Sequence, residues 1–303
     1  MIKMKQRSIR KGKRNNNMAF ILMLAPFLFF FFLFTVLPII SAVVLSFTDF
    51  NLVTVNNFTG ISHYFRIFFS DKIFTIALRN TLILAIIVGP IGYILSFLLA
   101  WLINEVPKNM RGIITLLIYA PSLTSNVFVI WKYIFAADSR GLLNDIFMRL
   151  GITSAPVSWL TDEQYSLIVV AIVALWMSFG SGFLSFRAGL QSLDRSYFEA
   201  AAIDGLRNRW QELLYVTFPQ MGPQLMFGAV MSISSAFAVG AVNKELTGFP
   251  SSNYSTHTWL LHIEDYAFNR YEMGYASALA VVLFVIMLLS WLLVNKVLKR
   301  FMD

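Results

Sequence analysis

Long runs of apolar residues dominate the chain, and six of them are each long enough to cross a lipid bilayer as a helix. The hydrocarbon core of a bilayer is about 30 Å thick and takes about 20 helical residues to cross. A helix satisfies all of its backbone groups internally, so the pattern predicts an all-α polytopic membrane protein with six transmembrane helices. The predicted spans are 18–47, 73–103, 112–135, 166–186, 219–242 and 275–298.

Charged residues are scarce and unevenly distributed between the loops. They make up 13% of the 303 residues, about half their share in soluble domains. Alternate loops together with both termini hold sixteen basic and six acidic residues, whereas the other loops hold seven basic and ten acidic. Cytoplasmic loops are enriched in Lys and Arg, so both termini are predicted to be cytoplasmic. The net charge of +8 then reflects membrane orientation and predicts no nucleic-acid partner.

The charge pattern divides the chain into a basic cytoplasmic tail, 1–17, and a six-span domain, 18–303. A secretory signal peptide is the alternative for the N-terminus. Its apolar region has only 7–15 residues, however, and the first apolar run here is about twice as long. The first run is therefore predicted to remain as a span.

Motifs for catalysis and metal binding are absent from the sequence. It has no cysteine, no G-x-x-x-x-G-K-[ST] phosphate loop and no H-E-x-x-H pair. His63, His257 and His262 are predicted to be surface residues of external loops. The chain is therefore predicted to be neither an enzyme nor a metal-binding protein. The predicted spans also carry no buried Asp, Glu or Lys, the residues that mark a proton- or ion-coupled carrier; Lys132, near the end of the third span, is counted with the external loop.

The predicted cytoplasmic loop 187–218 has the pattern of two helices separated by a glycine. Asp194 or Ser196 can cap the first helix, and Glu199 is expected in its first turn. Ala200 to Ala202 form a small, flat surface for another protein, and Gly205 permits the positive φ that ends a helix. An amphipathic loop lying at the membrane interface is the alternative.

This loop resembles the EAA loop of ABC importer permeases, through Glu199-Ala200-Ala201, Gly205 and Pro219. Other motifs narrow the resemblance to binding-protein-dependent carbohydrate-uptake permeases of the maltose and glycerol-3-phosphate type, and it covers nearly the whole chain. These motifs are Tyr119-Ala-Pro121-Ser122, Ile130-Trp131-Lys132, Gly141-Leu-Leu-Asn144, Trp159-Leu160, Trp210-Gln211 and Met273-Gly-Tyr-Ala-Ser-Ala278. The chain departs from the family by one additional residue between Gly205 and Trp210.

The resemblance implies the type I ABC importer permease fold and a set of partners. It implies a cytoplasmic ATPase dimer that uses ATP and Mg²⁺, a homologous second permease subunit forming a heterodimer, and an extracellular solute-binding protein. The chain itself would bind no cofactor. The residues that would contact the ATPase are Glu199, Ala200, Ala201, Asp204 and Gly205.

Polar residues that recur on one face of otherwise apolar helices are candidates for a solute pathway. The candidates are Tyr119, Ser122, Asn126, Trp176, Ser178, Ser181, Ser232 and Ser235. Hydroxyl groups exchange hydrogen bonds with a sugar, and aromatic rings can cover its C–H surface. Small and hydroxyl residues also hold transmembrane helices together, which is the alternative for each serine.

Together with this resemblance, the sequence predicts a permease subunit of an ATP-driven importer in the plasma membrane of a prokaryote. The resemblance implies a sugar or an oligosaccharide as the solute, and the uncharged polar faces favour a neutral, hydroxyl-rich one. A permease for another solute such as glycerol-3-phosphate, a secondary carrier, and a membrane enzyme acting on lipid-linked substrates are the alternatives. The enzyme would need an acid/base pair beside a nucleophile, and the sequence offers none.

Overall fold

The computed structural model describes residues 21–53, 57–124 and 127–302, and most of this part of the chain is helical. An isolated β-bridge joins Thr48 to Phe58. The predicted basic tail, 1–17, and the candidate pathway residue Asn126 lie outside the described residues.

Eleven helices of eight or more residues account for most of the described structure. In chain order they are α1 (Ile21–Leu45), α2 (Lys72–Glu105), α3 (Lys108–Tyr119), α4 (Val127–Ile134), α5 (Leu142–Arg149), α6 (Glu163–Met177), α7 (Ser181–Ser192), α8 (Arg195–Ile203), α9 (Gly222–Phe237), α10 (Gly240–Thr247) and α11 (Met273–Met302). The shorter helical segments are Ser62–Phe65, Arg66–Ser70, Ala120–Leu123, Arg209–Glu212, Leu213–Thr217, Phe218–Gln220, Ser252–Tyr254, Trp259–Glu264 and Asp265–Asn269.

Four helical segments in the described residues are long and apolar enough to cross a membrane: α1, α2, α6 together with α7, and α11. A fifth is the pair α9 and α10, which is bent by 42°. The prediction of an all-α polytopic membrane protein is confirmed, and the count of six spans is compatible with the structure.

The third predicted span, 112–135, is divided into two helices. α3 ends at Tyr119, and a 3₁₀ turn, Ala120–Leu123, follows it with Pro121 near its start. Proline has no backbone N–H and disfavours an α-conformation in the residue before it, so a helix ends readily here. α4 then runs to Ile134 beside α10, where Lys132 pairs with Glu245 at 3.9 Å.

The fourth predicted span is also interrupted. The apolar run predicts one span from Ser166 to Phe186, but α6 ends at Met177 and α7 begins at Ser181. Ser178 and Gly180 lie in the break between them. Interrupted helices at membrane depth are tolerated where they line a cavity, because the freed backbone groups then have polar surroundings.

Two of the three buried apolar clusters among the described residues position the interrupted helices. One contains Leu84, Val88 and Val170 and joins α2, α6 and α9; the other contains Phe97, Phe183 and Leu225 and joins α2, α7 and α9. The outer surfaces of the spans carry exposed apolar side chains, and every α1 residue in its most apolar window is unburied. Lipid is as apolar as these side chains, so this exposure is expected for a membrane protein.

Candidate functional site

A cavity of about 330 Å³ lies at the break between α6 and α7, and residues of α2, of α3 with the turn that follows it, and of α9 complete its lining. Its lining residues are Tyr93, Ser96, Tyr119, Ser122, Met177, Ser178, Gly180, Ser181, Gly182, Phe186, Gly228, Met231, Ser232 and Ser235. None of them is Asp, Glu, Lys, Arg or His. Small-molecule sites in proteins have volumes of about 300–1,000 Å³. The cavity is therefore at the lower end of that range, and eight hydroxyl groups supply most of its polar chemistry.

Half of these hydroxyl groups already donate their proton to the backbone. The hydroxyl groups of Ser122, Ser178 and Ser232 donate to the carbonyls of Tyr119, Leu175 and Gly89 at 2.7, 2.6 and 2.9 Å. Tyr93 donates to the Leu225 carbonyl at 3.2 Å. A hydroxyl oxygen has two lone pairs, so each of these groups can still accept a hydrogen bond. They therefore present acceptors to the cavity.

The remaining hydroxyl groups belong to Ser96, Tyr119, Ser181 and Ser235. The structure shows no hydrogen bond from these side chains to another described residue. They can both donate and accept. The cavity therefore combines fixed acceptors with adaptable groups, an arrangement that suits a ligand rich in hydroxyl groups.

Close packing of α7 on α9 forms one wall of the cavity. A Cβ atom at Gly182 would meet the Cα and carbonyl oxygen of Gly228 at 3.6 Å, which is ordinary contact. A Cβ atom at Gly228 would collide with the Phe186 ring, which is 1% exposed and packs edge-on against Tyr93. Gly228 is therefore required for the approach of the two helices.

At the other end of α7 lies the predicted coupling loop, and α8 is its first helix. The Asp194 carboxylate accepts a hydrogen bond from the Ser196 amide at 3.0 Å and caps α8, which lowers the pKa of Asp194. The helix ends in a Schellman motif. Gly205, with φ of +93°, donates to the Ala202 carbonyl and Leu206 donates to the Ala201 carbonyl. The predicted helix, glycine break and second helix are thus all present.

The exposure of α8 differs in part from the expectation. Glu199 is the fifth residue of α8, so the prediction that it lies in the first turn is wrong, because Asp194 caps the helix. Ala201 is buried, whereas Glu199 and Ala200 are exposed. Ile203 is 88% exposed at the end of the helix. The sequence did not identify it as a candidate contact residue, because a single apolar residue in a loop gives no distinctive signal.

A buried polar cluster lies at the end of the molecule opposite α8. His262 Nε2 is 3.0 Å from Asp71 Oδ2, and its Nδ1 is 3.1 Å from His257 Nε2. Tyr275 donates to the same Asp71 oxygen at 2.8 Å. His257 and His262 are 1% and 0% exposed, so the prediction that they are surface residues is wrong. The segment that carries them folds back onto α2, where Asn80 Nδ2 donates to the His257 carbonyl at 2.9 Å.

Electrostatic effects in this cluster follow from burial and from the contacts. Burial alone would raise the pKa of Asp71, but hydrogen bonds from His262, the Phe74 amide and Tyr275 hold it well below its ordinary value. Burial, together with the nearby His262, lowers the pKa of His257 to about 4. The cluster therefore holds an ionised Asp71 and a neutral His257 at neutral pH. Among the described residues, no group of three or more His, Cys, Asp and Glu is placed to hold a metal ion.

Comparison with protein families identifies the chain. A family model described as "Binding-protein-dependent transport system inner membrane component" matches residues 92–303. The chain belongs to this family. The matched region contains the cavity-lining parts of α7 and α9 and the whole of α8.

Curated relatives are similar to this permease over most of its length. The "Probable ABC transporter permease protein YesP" of Bacillus subtilis is 32% identical, with 96% of this chain and 93% of the relative covered. The "Lactose transport system permease protein LacF" of Rhizobium radiobacter is 30% identical, with 88% and 89% covered. The "Arabinooligosaccharides transport system permease protein AraP" of B. subtilis is also 30% identical, with 87% and 83% covered.

Solved structures show the same fold. A chain of a bacterial ABC transporter involved in the import of the acidic polysaccharide alginate aligns with a TM-score of 0.77 at 23% identity, covering 98% of this permease and all of that chain. A bacterial alginate ABC transporter in complex with alginate pentasaccharide-bound periplasmic protein aligns with a TM-score of 0.78 at 22% identity, covering 96% and 98%. The predicted ABC importer permease fold is confirmed.

Six of the eight predicted pathway residues line the cavity of this permease: Tyr119, Ser122, Ser178, Ser181, Ser232 and Ser235. Trp176 is not among the lining residues. Its ring packs edge-on against Trp131, with centroids 4.9 Å apart. The sequence did not identify Tyr93 and Ser96, because α2 has a low density of polar residues and no repeated polar face.

Proposed function

We propose that this permease is the translocation subunit of an ATP-driven importer and conducts a neutral, hydroxyl-rich solute, a sugar or an oligosaccharide. The observation that carries the proposal is the cavity at the α6–α7 break, which is lined by eight hydroxyl groups and no charged side chain. Lactose and arabinooligosaccharides are named as the solutes of two relatives, which supports the same class.

A single solute site formed by broken helices is consistent with alternating access. Transporter sites commonly lie where interrupted helices meet near mid-membrane. In this permease the break at Ser178–Gly180 lies between α6 and α7, and α7 continues toward the coupling loop. A movement of α8 would therefore be transmitted along α7 to the cavity.

The proposed energy source is a separate cytoplasmic ATPase dimer that uses ATP and Mg²⁺. It would dock on the exposed end of α8, where Glu199, Ala200, Asp204 and Gly205 are exposed together with Ile203. Buried Ala201 would hold α8 against the rest of the permease. We propose further that the permease pairs with a homologous, non-identical second subunit and receives its solute from an extracellular binding protein.

Membrane orientation follows from the same proposal. Both termini would be cytoplasmic, in the plasma membrane of a prokaryote. Ion pairs between separate elements support the sorting of loops into two faces. Arg66 pairs with Glu272 and Lys244 with Glu264 on the predicted external face, whereas Arg209 pairs with Glu105 on the cytoplasmic face.

A phosphorylated solute such as glycerol-3-phosphate is less well supported, because recognition of a phosphate group needs a cation and the cavity lining has none. A secondary carrier would need an intramembrane ionisable group to couple to an ion gradient. Uptake that follows ATP supply and persists in the presence of an uncoupler would support the importer over the carrier.

Paired serine variants on α9 test the role of the cavity. Ser235 lines the cavity, whereas its neighbour Ser234 is exposed, donates to the Val230 carbonyl at 3.0 Å and does not line it. In the reconstituted transporter, Ser235→Ala is expected to raise the KM for the sugar several-fold by removing a hydrogen-bond partner from the site. Ser234→Ala should leave KM unchanged. Equal KM values for wild type and Ser235→Ala would count against the cavity as the solute site.

A further inference from the structure

A second, larger cavity lies near the loop that joins α2 to α3. It has a volume of about 810 Å³ and is formed by the end of α2, the beginning of α3 and the second half of α7. Three basic residues line it, Lys108, Arg111 and Arg187, and the lining includes no carboxylate. The solute cavity and this basic pocket have no lining residue in common.

Arg187 is the best indication that the basic pocket takes a ligand. The residue is only 5% exposed, and its Nε and Nη1 atoms have no hydrogen-bond partner. A buried guanidinium group without partners is strongly unfavourable, because it loses its hydration and gains nothing in return. An anion within the pocket would supply both the missing charge and the missing acceptors.

The groups beside Arg187 add positive charge to the pocket and so favour the binding of an anion. Arg111 acts electrostatically on Arg187, so the two cations repel each other. Arg111 Nε donates to the Val106 carbonyl at 2.6 Å, which orients its guanidinium group. Within the described part of the chain, neither arginine nor Lys108 forms an ion pair with Asp or Glu. Asn104 and Gln191 add amide groups to the lining.

The surface of α3 indicates where the anion comes from. Lys108, Arg111 and Thr115 share the face of α3 that lines the pocket. The remaining surface of the helix carries apolar side chains that are 54–65% exposed: Met110, Ile113, Leu116 and Leu117. A helix with a basic face and an exposed apolar face is typical of the lipid interface.

We propose that the basic pocket binds the phosphate of an anionic phospholipid from the leaflet on the side of α8. Arginine recognises phosphate through paired, charge-assisted hydrogen bonds, and basic pockets between transmembrane helices bind anionic headgroups. The acyl chains would lie along the apolar face of α3. Because α7 connects the pocket to the solute cavity, the lipid would stabilise the packing of α3 on α7 in the working transporter.

Native mass spectrometry of the purified, assembled transporter tests this proposal. Phosphatidylglycerol is titrated against wild type, Lys108→Gln, Arg111→Gln and Arg187→Gln. Each pocket variant is expected to bind phosphatidylglycerol at least about tenfold more weakly, since it loses charged hydrogen bonds. Lys299→Gln and Arg300→Gln remove the same charges from exposed positions at the end of α11 and should bind like wild type.

Two further probes distinguish the source of the phosphate. Phosphatidylcholine, whose phosphate charge is balanced by its choline group, should bind more weakly than phosphatidylglycerol. Inorganic phosphate should not displace the lipid at equal concentration; binding of inorganic phosphate as tight as that of the lipid would overturn the lipid assignment. Equal binding of phosphatidylglycerol by wild type, Arg111→Gln and Arg187→Gln would overturn the proposal and leave a carboxylate of a partner subunit as the occupant. Lys108 and Arg111 are surface-accessible, so their variants remain informative if Arg187→Gln does not fold.

Discussion

His257 and Asp71 are connected by His262, and the three side chains form a buried polar chain between α2 and the segment that precedes α11. The sequence could not predict this buried cluster. The two histidines are five residues apart in a loop without periodicity, and both are at least 186 residues from Asp71 along the sequence. Their burial depends on the folding of that loop onto α2. Six of the eight hydroxyl residues of the cavity were predictable from the sequence, because polar residues recur on one face of otherwise apolar segments; Tyr93 and Ser96 were not.

Acid should destabilise the permease through His257. Its pKa is lowered by burial to about 4 in the folded protein, against about 6.5 when unfolded. The unfolded state therefore binds a proton first as pH falls, so stability is complete above pH 6.5 and is lost between pH 6.5 and 4. The expected loss between pH 7 and 5 is about 2 kcal/mol. Asp71 contributes little in this window, because its pKa is lowered and its stabilisation is lost only below about pH 4.

The measurement is the thermal unfolding midpoint of the purified transporter as a function of pH. His257→Gln keeps a side chain that can form hydrogen bonds but removes the titration. The variant should show a shallower decrease in midpoint between pH 7 and 5 than wild type. Parallel curves for the two proteins would show that His257 is not the titrating group.

At the scale of helices, the sequence predicted that long apolar helices are present but not where they break. Pro121 and Gly180 lie at the two breaks, yet Pro90 lies within α2, which continues through a π-helical turn at Ile87–Ile91. Tertiary contacts explain why α2 continues past Pro90. Ser232 donates to the Gly89 carbonyl beside Pro90, so α9 stabilises the distorted turn of α2. A proline or glycine alone therefore does not decide between a kink and a break.

The end of α8 should be required for coupling. Gly205 has φ of +93°, and a Cβ atom there would meet nothing within 4 Å, so a substitution acts through the backbone alone. Gly205→Val is expected to cost about 1–3 kcal/mol in local strain and to unwind the Schellman motif. Transport in proteoliposomes should fall while ATP hydrolysis persists. Gly205→Asn, which tolerates the left-handed conformation, should retain most transport.

Glu199 provides a second variant that does not depend on backbone strain. Its side chain is exposed on α8, so Glu199→Lys should fold with an unchanged unfolding midpoint. It should nevertheless uncouple ATP hydrolysis from transport, because the charge presented to the ATPase is reversed. Full transport by both Glu199→Lys and Gly205→Val would refute the coupling role of α8.

At the scale of the molecule, charge sorting along the sequence anticipated which loops meet. Arg66 and Glu272 are 206 residues apart and Arg209 and Glu105 are 104 apart, yet each pair joins loops that the sequence placed on the same face. This long-range agreement arises because a membrane permits only two aqueous sides, so each span that is found in the sequence fixes the side of the next loop. Soluble proteins offer no comparable constraint. The third predicted crossing has the least structural support, since α3 and α4 are separate short helices.

The absence of native cysteine makes that crossing directly testable. Single cysteines are introduced in place of Asn109, at the beginning of α3, and of Asp138, after α4, and intact cells are treated with a membrane-impermeant maleimide. If 108–134 crosses the membrane, Asp138→Cys should be labelled from outside, whereas Asn109→Cys should be labelled only after the cells are permeabilised. Asn269→Cys, in the predicted external loop before α11, and Arg207→Cys, in the coupling loop, serve as the outer and inner references.

Labelling of Asn109→Cys and Asp138→Cys from the same side would mean that α3 and α4 form a re-entrant segment. The chain would then have five crossings, and the odd number would place its two termini on opposite sides of the membrane.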